Sequence, residues 1–394
     1  MSFNSTPSAE RVHIGFFGLR NAGKSSVVNA VTAQELSLVS DVKGTTTDPV
    51  RKAMELLPIG PVVIIDTPGT DDEGALGEQR VKRAMKTLDE TDIAVLVIDA
   101  EKGETQADEE LKKLITERKI PLITVYNKAD LLPAVPTAGE NTLYVSAASG
   151  TNIFELKEML GRIAPDGKKE KRLIGDLLQK DDIVVLVTPI DESAPKGRMI
   201  LPQQQTIRDV LDSDAVCLVT KETQLETLLS SLPKKPRLVV TDSQAFGFVN
   251  KVVPKDIPLT SFSMLFARYK GDLFALADGA DTLDKLRDGD RVLISEGCTH
   301  HRQCNDIGTV KLPNWVKKYT DRNIVFDFTS GRDFPEDVSE YSLVIHCGGC
   351  MLNDAEISSR AKRAKAQGVP MTNYGTAIAK MHGILERAIK PLKK

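Results

Sequence analysis

Short apolar runs alternate with helical stretches along the first part of the chain. These runs are rich in Val, Ile and Phe and begin at Val12, Val62, Ile93, Pro121 and Thr142. Continuous apolar runs of this length are typical of strands buried on both faces of a parallel sheet, and the intervals between them suit crossover helices. The pattern predicts a doubly wound α/β domain with a mostly parallel sheet, which we place at residues 1–168.

The strand pattern resumes twice after a Pro-, Gly- and Lys-rich segment at residues 164–175. A second block, at residues 176–265, contains further apolar runs but no phosphate-binding loop and no cluster of titratable residues. This favours a structural or self-association role. A third block, at residues 266–394, contains more such runs and closes with a basic helical tail. The sequence thus predicts three α/β domains, the third with a parallel sheet of its own.

Composition and charge narrow the class of protein. The chain has 394 residues, 41% of them apolar, and a formal net charge of −3. No apolar run approaches the ~18–20 residues that span a bilayer, and the polar N-terminal segment lacks the apolar core of a secretory signal. We therefore expect a cytoplasmic protein with no membrane partner. The lack of a basic excess argues against sequence-independent nucleic-acid binding.

A phosphate-binding motif follows the first apolar run directly. Residues 18–25 have the sequence GLRNAGKS, a complete GxxxxGKS motif with a strand before it and a helix after it. The backbone amides of such a loop close around phosphate oxygens, Lys24 reaches the β- and γ-phosphates, and the Ser25 hydroxyl is a magnesium ligand. We predict that a nucleotide binds here, in contact with Gly18, Asn21, Ala22, Gly23, Lys24, Ser25 and Ser26.

Three further motifs stand at the ends of later apolar runs. Asp66 and Gly69 of the DTPG sequence suit the magnesium shell and the γ-phosphate. In Asn127-Lys128-Ala129-Asp130, the carboxylate of Asp130 can accept hydrogen bonds from N1 and N2 of guanine, which adenine cannot offer. Ser146-Ala147 follows the last run. The complete set, in this order, favours GTP over ATP.

With these motifs in order, the first domain resembles the TrmE and Era group of small GTPases over about residues 10–165. The resemblance implies that Thr46, within the GTTTD sequence, is the switch threonine that binds magnesium. It also implies that Lys24, Thr46, Asp66 and Gly69 act in GTP hydrolysis.

Two positions bear on how fast GTP would be hydrolysed. Thr70 stands where Ras-like proteins have a water-orienting glutamine, so we expect slow intrinsic turnover. Asn21 matches the asparagine that, in the potassium-activated members of the group, helps to place a monovalent cation against the phosphates. We therefore expect turnover to depend on K⁺.

Cysteines and histidines are crowded into one part of the chain. Four of the five cysteines and three of the five histidines lie between Cys298 and Cys350, and a reducing compartment excludes a disulfide framework. Cys298-Thr299-His300 and His346-Cys347-Gly348-Gly349-Cys350 each follow an apolar run, so the motifs meet if the two strands lie in one parallel sheet. Three such thiolates are typical of zinc or an iron–sulfur cluster. The residues alone leave both open, with His300 or His346 as a further ligand.

These cysteine motifs, behind a GTPase domain and a middle α/β block, resemble the HydF family of FeFe-hydrogenase maturation GTPases over essentially the whole chain. The resemblance implies an iron–sulfur domain with a 4Fe–4S cluster on Cys298, Cys347 and Cys350. A non-cysteine group would fill the fourth position, with His300, His346 and Asp306 as alternatives. It also implies that the middle domain dimerises, which gives a homodimer.

The same resemblance implies a scaffold function. Proteins of this family receive a di-iron precursor that is built with two radical-SAM maturases, and they deliver it as cargo to the apo-FeFe-hydrogenase. An alternative from a different class is an RNA- or ribosome-associated GTPase with a structural zinc domain. Iron and sulfide in the anaerobically purified protein would support the first hypothesis, and stoichiometric zinc would support the second.

Overall fold

The computed structural model describes residues 6–33, 49–67, 84–137, 139–164, 171–190, 199–297 and 306–393. The chain folds as two compact units, Met1–Lys169 and Glu170–Lys394. The first unit contains one six-stranded sheet, and the second contains two four-stranded sheets. In the part of the chain that the structure describes, no helix has both the length and the apolar character needed to cross a membrane.

The six strands of the first unit are β1 (Val12–Gly18), β2 (Val50–Leu56), β3 (Gly60–Asp66), β4 (Ile93–Asp99), β5 (Leu122–Asn127) and β6 (Thr142–Tyr144). They lie in the order β2-β3-β1-β4-β5-β6. All neighbours are parallel except β2 and β3, which are antiparallel. The predicted α/β class with a mostly parallel sheet is confirmed. Strand β2 was not predicted, because its sequence VRKAMEL is largely polar and most of its residues are exposed at the sheet edge.

Helices cover both faces of this sheet: α1 (Lys24–Thr32), α2 (Gln106–Glu117) and α3 (Ile153–Ile163). Every residue of β1 and β4 is buried. Because side chains alternate along a strand, Phe16 packs in the core that includes α1 and α3, whereas Phe17 packs in the core that includes α2. This two-sided burial explains why the strands have no polar face.

The second unit has two sheets of four parallel strands. The first contains β7 (Ile183–Val187), β8 (Val216–Thr220), β9 (Leu238–Thr241) and β10 (Leu259–Ser261), in the order β10-β9-β7-β8. The second contains β11 (Arg291–Glu296), β12 (Val325–Ser330), β13 (Leu343–His346) and β14 (Met371–Asn373), in the order β12-β11-β13-β14. The parallel sheet expected in the C-terminal part of the chain is therefore present.

The helices of the second unit are α4 (Leu201–Leu211), α5 (Leu225–Ser231), α6 (Phe246–Val252), α7 (Phe262–Lys270), α8 (Leu273–Ala280), α9 (Leu312–Thr320), α10 (Asp354–Ala366), α11 (Tyr374–Met381) and α12 (Leu385–Ile389). One continuous hydrophobic core joins the two sheets and includes Val185 of β7 and Ile294 of β11. The boundary that the sequence suggests between residues 265 and 266 falls inside α7. The three predicted domain bounds remain predictions.

Candidate functional site

The phosphate loop joins the end of β1 to the start of α1. Gly23 precedes the helix with φ of 80°, and a Cβ at this position would lie 2.2 Å from Nδ2 of Asn127. Both the left-handed backbone and the close approach require glycine here. Asn21 also has a positive φ, 63°, and its side chain is exposed. The loop therefore turns sharply and leads directly into a helix N-terminus, as an anion-binding loop must.

Lys24 and Ser25 both contact Asp66 at the end of β3. The Lys24 ammonium forms an ion pair with Oδ1 of Asp66, and Ser25 Oγ donates a hydrogen bond of 3.0 Å to Oδ2. The Lys24 side chain is only 8% exposed. A hydroxyl and a carboxylate side by side are the hard oxygen ligands that Mg²⁺ prefers, and the ammonium beside them suits a phosphate. The structure thus brings together three of the predicted nucleotide-site residues.

Asn127 links the phosphate loop to the loop that follows β6. Its Nδ2 donates to the carbonyl of Ala22 at 3.0 Å, and its Oδ1 accepts from the amide of Ala147 at 3.1 Å. The side chain is buried. One amide group therefore holds two loops, both predicted to contact the nucleotide, in a fixed relation to each other.

The base-recognition motif continues after β5. Lys128 has φ of 67°, and its Nζ donates to Oδ2 of Asp99 at 2.6 Å. Asp130 is exposed, whereas Ser146 is buried and its hydroxyl accepts a hydrogen bond from the amide of Ser149. These residues lie at the carboxyl ends of β5 and β6, so the predicted guanine site lies at the edge of the sheet where its parallel strands end.

Asp99 belongs to this site although the sequence motifs did not include it. Burial raises the pKa of its carboxyl, but the hydrogen bond from Lys128 and further favourable contacts outweigh this and hold the pKa below its usual value. Asp99 therefore stays ionised and fixes the Lys128 side chain. The sequence did contain a sign of this role, because Asp99 is the last residue of the apolar run IAVLVID. Ligands of parallel sheets bind at the carboxyl ends of the strands, where such a polar residue lies.

Several predicted site residues lie outside the described residues. They are Thr46, Gly69, Thr70, Cys298 and His300.

The second candidate site lies where β11 and β13 end. The two strands are parallel neighbours, and Ser295 pairs with His346. Gly297, which directly precedes Cys298 in the sequence, donates its amide to Sγ of Cys347 at 3.0 Å, and the amide of Gly349 donates to the same sulfur at 3.4 Å. Backbone amides directed at a cysteine sulfur are a usual feature of iron–sulfur sites.

The turn from Cys347 to Cys350 depends on a glycine. Gly349 has φ of 64°, and a Cβ there would lie 2.4 Å from Cδ1 of Ile357 on α10. Burial raises the pKa of the Cys347 thiol to about 11 and also raises the pKa of Cys350. Metal binding requires thiolates, so a metal bound at this turn would displace the thiol protons. Donor type and amide placement therefore fit a thiolate-bound metal.

His346, predicted as an alternative ligand, is committed within the protein. Its Nδ1 lies 2.8 Å from the carbonyl of Cys347, and its Nε2 lies 3.0 Å from Nη1 of Arg360. Since a guanidinium can only donate, Nε2 accepts and Nδ1 carries the proton. Burial, followed by the nearby Arg360 charge, lowers the pKa of His346 to about 3. Both ring nitrogens are engaged, which argues against the predicted ligand role.

Asp306 also has a local role. Its Oδ2 accepts hydrogen bonds from the amide and the hydroxyl of Thr309, at 2.8 and 3.0 Å, at the start of the helical turn Ile307–Lys311. Among the described residues no three metal-ligating side chains converge, and Cys298 is not one of those residues.

Comparison with known families accounts for both units. Residues 173–271 match the hydrogen maturase F dimerization domain, and residues 273–391 match the hydrogen maturase F tetramerization domain. The chain belongs to the hydrogen maturase F family. Residues 13–128 match the family described as 50S ribosome-binding GTPase. The two matched regions of the second unit do not favour the alternative of an RNA- or ribosome-associated GTPase.

Relatives of the first unit include the tRNA modification GTPase MnmE, GTPase Der and GTPase Era. The tRNA modification GTPase MnmE of Nitrosomonas europaea is 34% identical over 160 residues, which is 39% of this chain and 35% of that protein. GTPase Era of Carboxydothermus hydrogenoformans is 31% identical over 166 residues, 39% of this chain and 55% of Era. The chain thus spans about a third to a half of the length of these relatives.

Among solved structures, Era of Aquifex aeolicus bound to GDP and AlF4⁻ matches at 20% identity and a TM-score of 0.35 over 53% of this chain and 93% of that one. The predicted GTPase activity is confirmed by the P-loop GTPase domain and by the named GTPases that resemble it. GTP, GDP and Mg²⁺ are the ligands of such a domain.

Proposed function

We propose that this hydrogenase maturation GTPase is an iron–sulfur scaffold and carrier. It holds a 4Fe–4S cluster on Cys298, Cys347 and Cys350, receives a di-iron precursor of the FeFe-hydrogenase active site, and delivers it to the apo-hydrogenase. The contact that carries the proposal is the Gly297 amide at 3.0 Å from Sγ of Cys347. It joins the chain immediately before Cys298 to the first cysteine of the CxxC turn.

The donor set supports a cluster with one position that is not thiolate. The sequence motifs supply three cysteines as ligands, and both ring nitrogens of His346 have partners in the protein. His300 therefore remains our proposal for the fourth ligand. A cluster with one weakly held iron position can bridge to an incoming metal cofactor and then release it. This is the chemistry that a carrier needs.

Partner exchange follows from this scaffold role. We propose that two radical-SAM maturases supply the di-iron precursor and that the apo-FeFe-hydrogenase takes it. GTP binding at the first unit times these exchanges and takes no part in the cluster chemistry, with Thr46 as the switch ligand of Mg²⁺.

Self-association through β8 is the proposed route to a homodimer. This strand is the edge of its sheet, and two of its apolar side chains, Val216 and Val219, are 44% and 45% exposed. An edge strand presents backbone donors and acceptors that a second copy can pair with. The strand lies within the region that matches the family's dimerization domain.

Potassium dependence is proposed from Asn21. Its left-handed backbone places an exposed amide side chain in the phosphate loop, where it can help to hold a monovalent cation against the phosphates. GTP turnover should be faster in K⁺ than in Na⁺ buffer at equal ionic strength, and equal rates would contradict this part of the proposal.

The test of the cluster is chemical analysis of anaerobically purified protein. We expect a brown protein with roughly four iron and four sulfide per chain, loss of both in Cys347→Ala, and retention in Cys217→Ala. Cys217 is the matched control because it lies in β8 and packs against the hydrophobic core. Colourless protein with stoichiometric zinc would overturn the proposal.

A further inference from the structure

A buried lysine lies beneath the CxxC turn. Lys270, the last residue of α7, is 5% exposed. Its Nζ donates to three backbone carbonyls of the turn and its continuation: Gly349 at 3.0 Å, Cys350 at 3.3 Å and Leu352 at 2.6 Å. A buried ammonium is costly unless hydrogen bonds surround it, so these carbonyls and the lysine stabilise one another.

Helix α7 runs along this turn and supplies further contacts. A Cβ on Gly348 would lie 3.6 Å from Ser263 at the start of the helix. The ring of Phe266, one turn before the lysine, lies 5.7 Å from Nζ of Lys270. The Lys270 ammonium is therefore enclosed between the helix and the loop, and if it moves three carbonyls each lose a hydrogen bond, although that of Gly349 keeps the amide of Leu352 as a second donor.

The contact also joins the two matched regions of the second unit. Lys270 lies in the region that matches the dimerization domain, and the carbonyls that it holds lie in the region that matches the tetramerization domain. The cysteine turn is thus completed by a side chain from the preceding domain.

We infer that Lys270 is a positioning residue of the cluster site. It holds the Cys347–Cys350 turn in the conformation that presents both sulfurs, and it places a positive charge beside a site that accumulates thiolate charge. The inference rests on the proposed cluster, since its second part concerns the cluster potential. A nearby positive charge favours the reduced, more negative cluster and so raises its reduction potential.

Two substitutions separate hydrogen bonding from charge. Lys270→Met removes both the donors and the charge, whereas Lys270→Gln removes the charge and keeps two N–H donors. Lys318→Met, on α9, is the control because Lys318 is an exposed lysine of the same unit. Circular dichroism and GDP binding of each full-length variant show whether the chain is folded.

The first measurement uses metal-free protein. The rate at which Cys347 reacts with iodoacetamide is read at fixed pH by mass spectrometry of its peptide. We expect a rise of about tenfold or more in Lys270→Met, because losing hydrogen bonds to a charged donor loosens the turn. Lys270→Gln should show a smaller rise, and Lys318→Met none. Unchanged rates in Lys270→Met would overturn the positioning role.

The second measurement is the reduction midpoint of the reconstituted cluster, followed by electron paramagnetic resonance. In both neutral variants we expect the ratio of reduced to oxidised cluster at a given potential to fall by about tenfold, which is a shift of about 59 mV for one electron. An unchanged midpoint in both would overturn the charge role. If the wild-type protein binds no cluster, the proposed function fails, while the labelling rates still decide the positioning role.

Discussion

Removal of the Asn127 side chain tests how the nucleotide site is held together. In Asn127→Ala the carbonyl of Ala22 loses its donor at 3.0 Å and the amide of Ala147 loses its acceptor at 3.1 Å. Ala22 is buried and Ala147 is half-buried, so water replaces the second partner more readily than the first. An unsatisfied buried polar group costs about 1–3 kcal/mol, and the loss of one full partner and part of another gives about 2–3 kcal/mol.

This free energy should appear in nucleotide affinity. Asn127 holds two loops in the conformation that contacts phosphate and base, so without it the loops must be ordered at the moment of binding. A loss of about 2–3 kcal/mol corresponds to roughly 30- to 150-fold weaker binding. We expect Asn127→Asp to be at least as damaging, because it sets a carboxylate oxygen against the Ala22 carbonyl and close to Gly23.

The assay is a fluorescence titration with N-methylanthraniloyl-GDP in the presence of Mg²⁺, together with thermal unfolding. Asn152→Gly is the control: Asn152 donates to the carbonyl of Tyr144 at 2.8 Å and has φ of 57°, which glycine tolerates. It should lower the melting temperature and leave GDP affinity near the wild-type value. Folded Asn127→Ala that binds GDP within about twofold of wild type would refute this reasoning.

Three further outcomes are expected. His346→Gln should keep the electron paramagnetic resonance signal of the proposed cluster, because Gln can still accept from Arg360 and both ring nitrogens of His346 have partners in the protein; a changed signal would indicate that His346 is a ligand. Val219→Lys should shift the protein toward monomer in sedimentation velocity, since a charge at an exposed position of edge strand β8 opposes pairing, and an unchanged dimer would place the interface elsewhere. The lowered pKa of Asp99 means that its ion pair with Lys128 contributes stability above the ordinary value of 3.8, which is lost as the pH falls through the folded-state pKa. Asp99→Asn should therefore flatten the acid side of a thermal stability profile of the first unit, and a profile identical to wild type would contradict this.

Burial on both faces made the central strands predictable. Runs such as IAVLVID have no polar face, so a strand between two helical layers was the natural interpretation. Strand β2 escaped prediction because an edge strand with exposed Arg51 and Lys52 owes its conformation to its antiparallel pairing with β3, and pairing leaves no periodic mark in the sequence.

The cysteine motif was visible, but the surroundings that decide its chemistry were not. Whether His346 is a ligand depends on Arg360, 14 residues later on α10, and no spacing rule connects the two. Lys270 follows Arg268 and Tyr269 in the sequence, in a segment typical of an exposed helix end. Only tertiary packing shows that its ammonium is enclosed. Local sequence identifies the atoms that could bind a metal. Whether those atoms are already hydrogen-bonded within the protein depends on residues distant along the chain.

The continuous core that joins the two four-stranded sheets determines where the chain can be divided without exposing apolar surface. A chain cut between residues 271 and 273, where the two matched regions meet, would expose apolar surface on both fragments and remove Lys270 from the carbonyls that it holds. A cut near residues 169 and 170 separates two units, each with its own core. The part of the chain that can be transplanted with its core intact is therefore the whole of Glu170–Lys394.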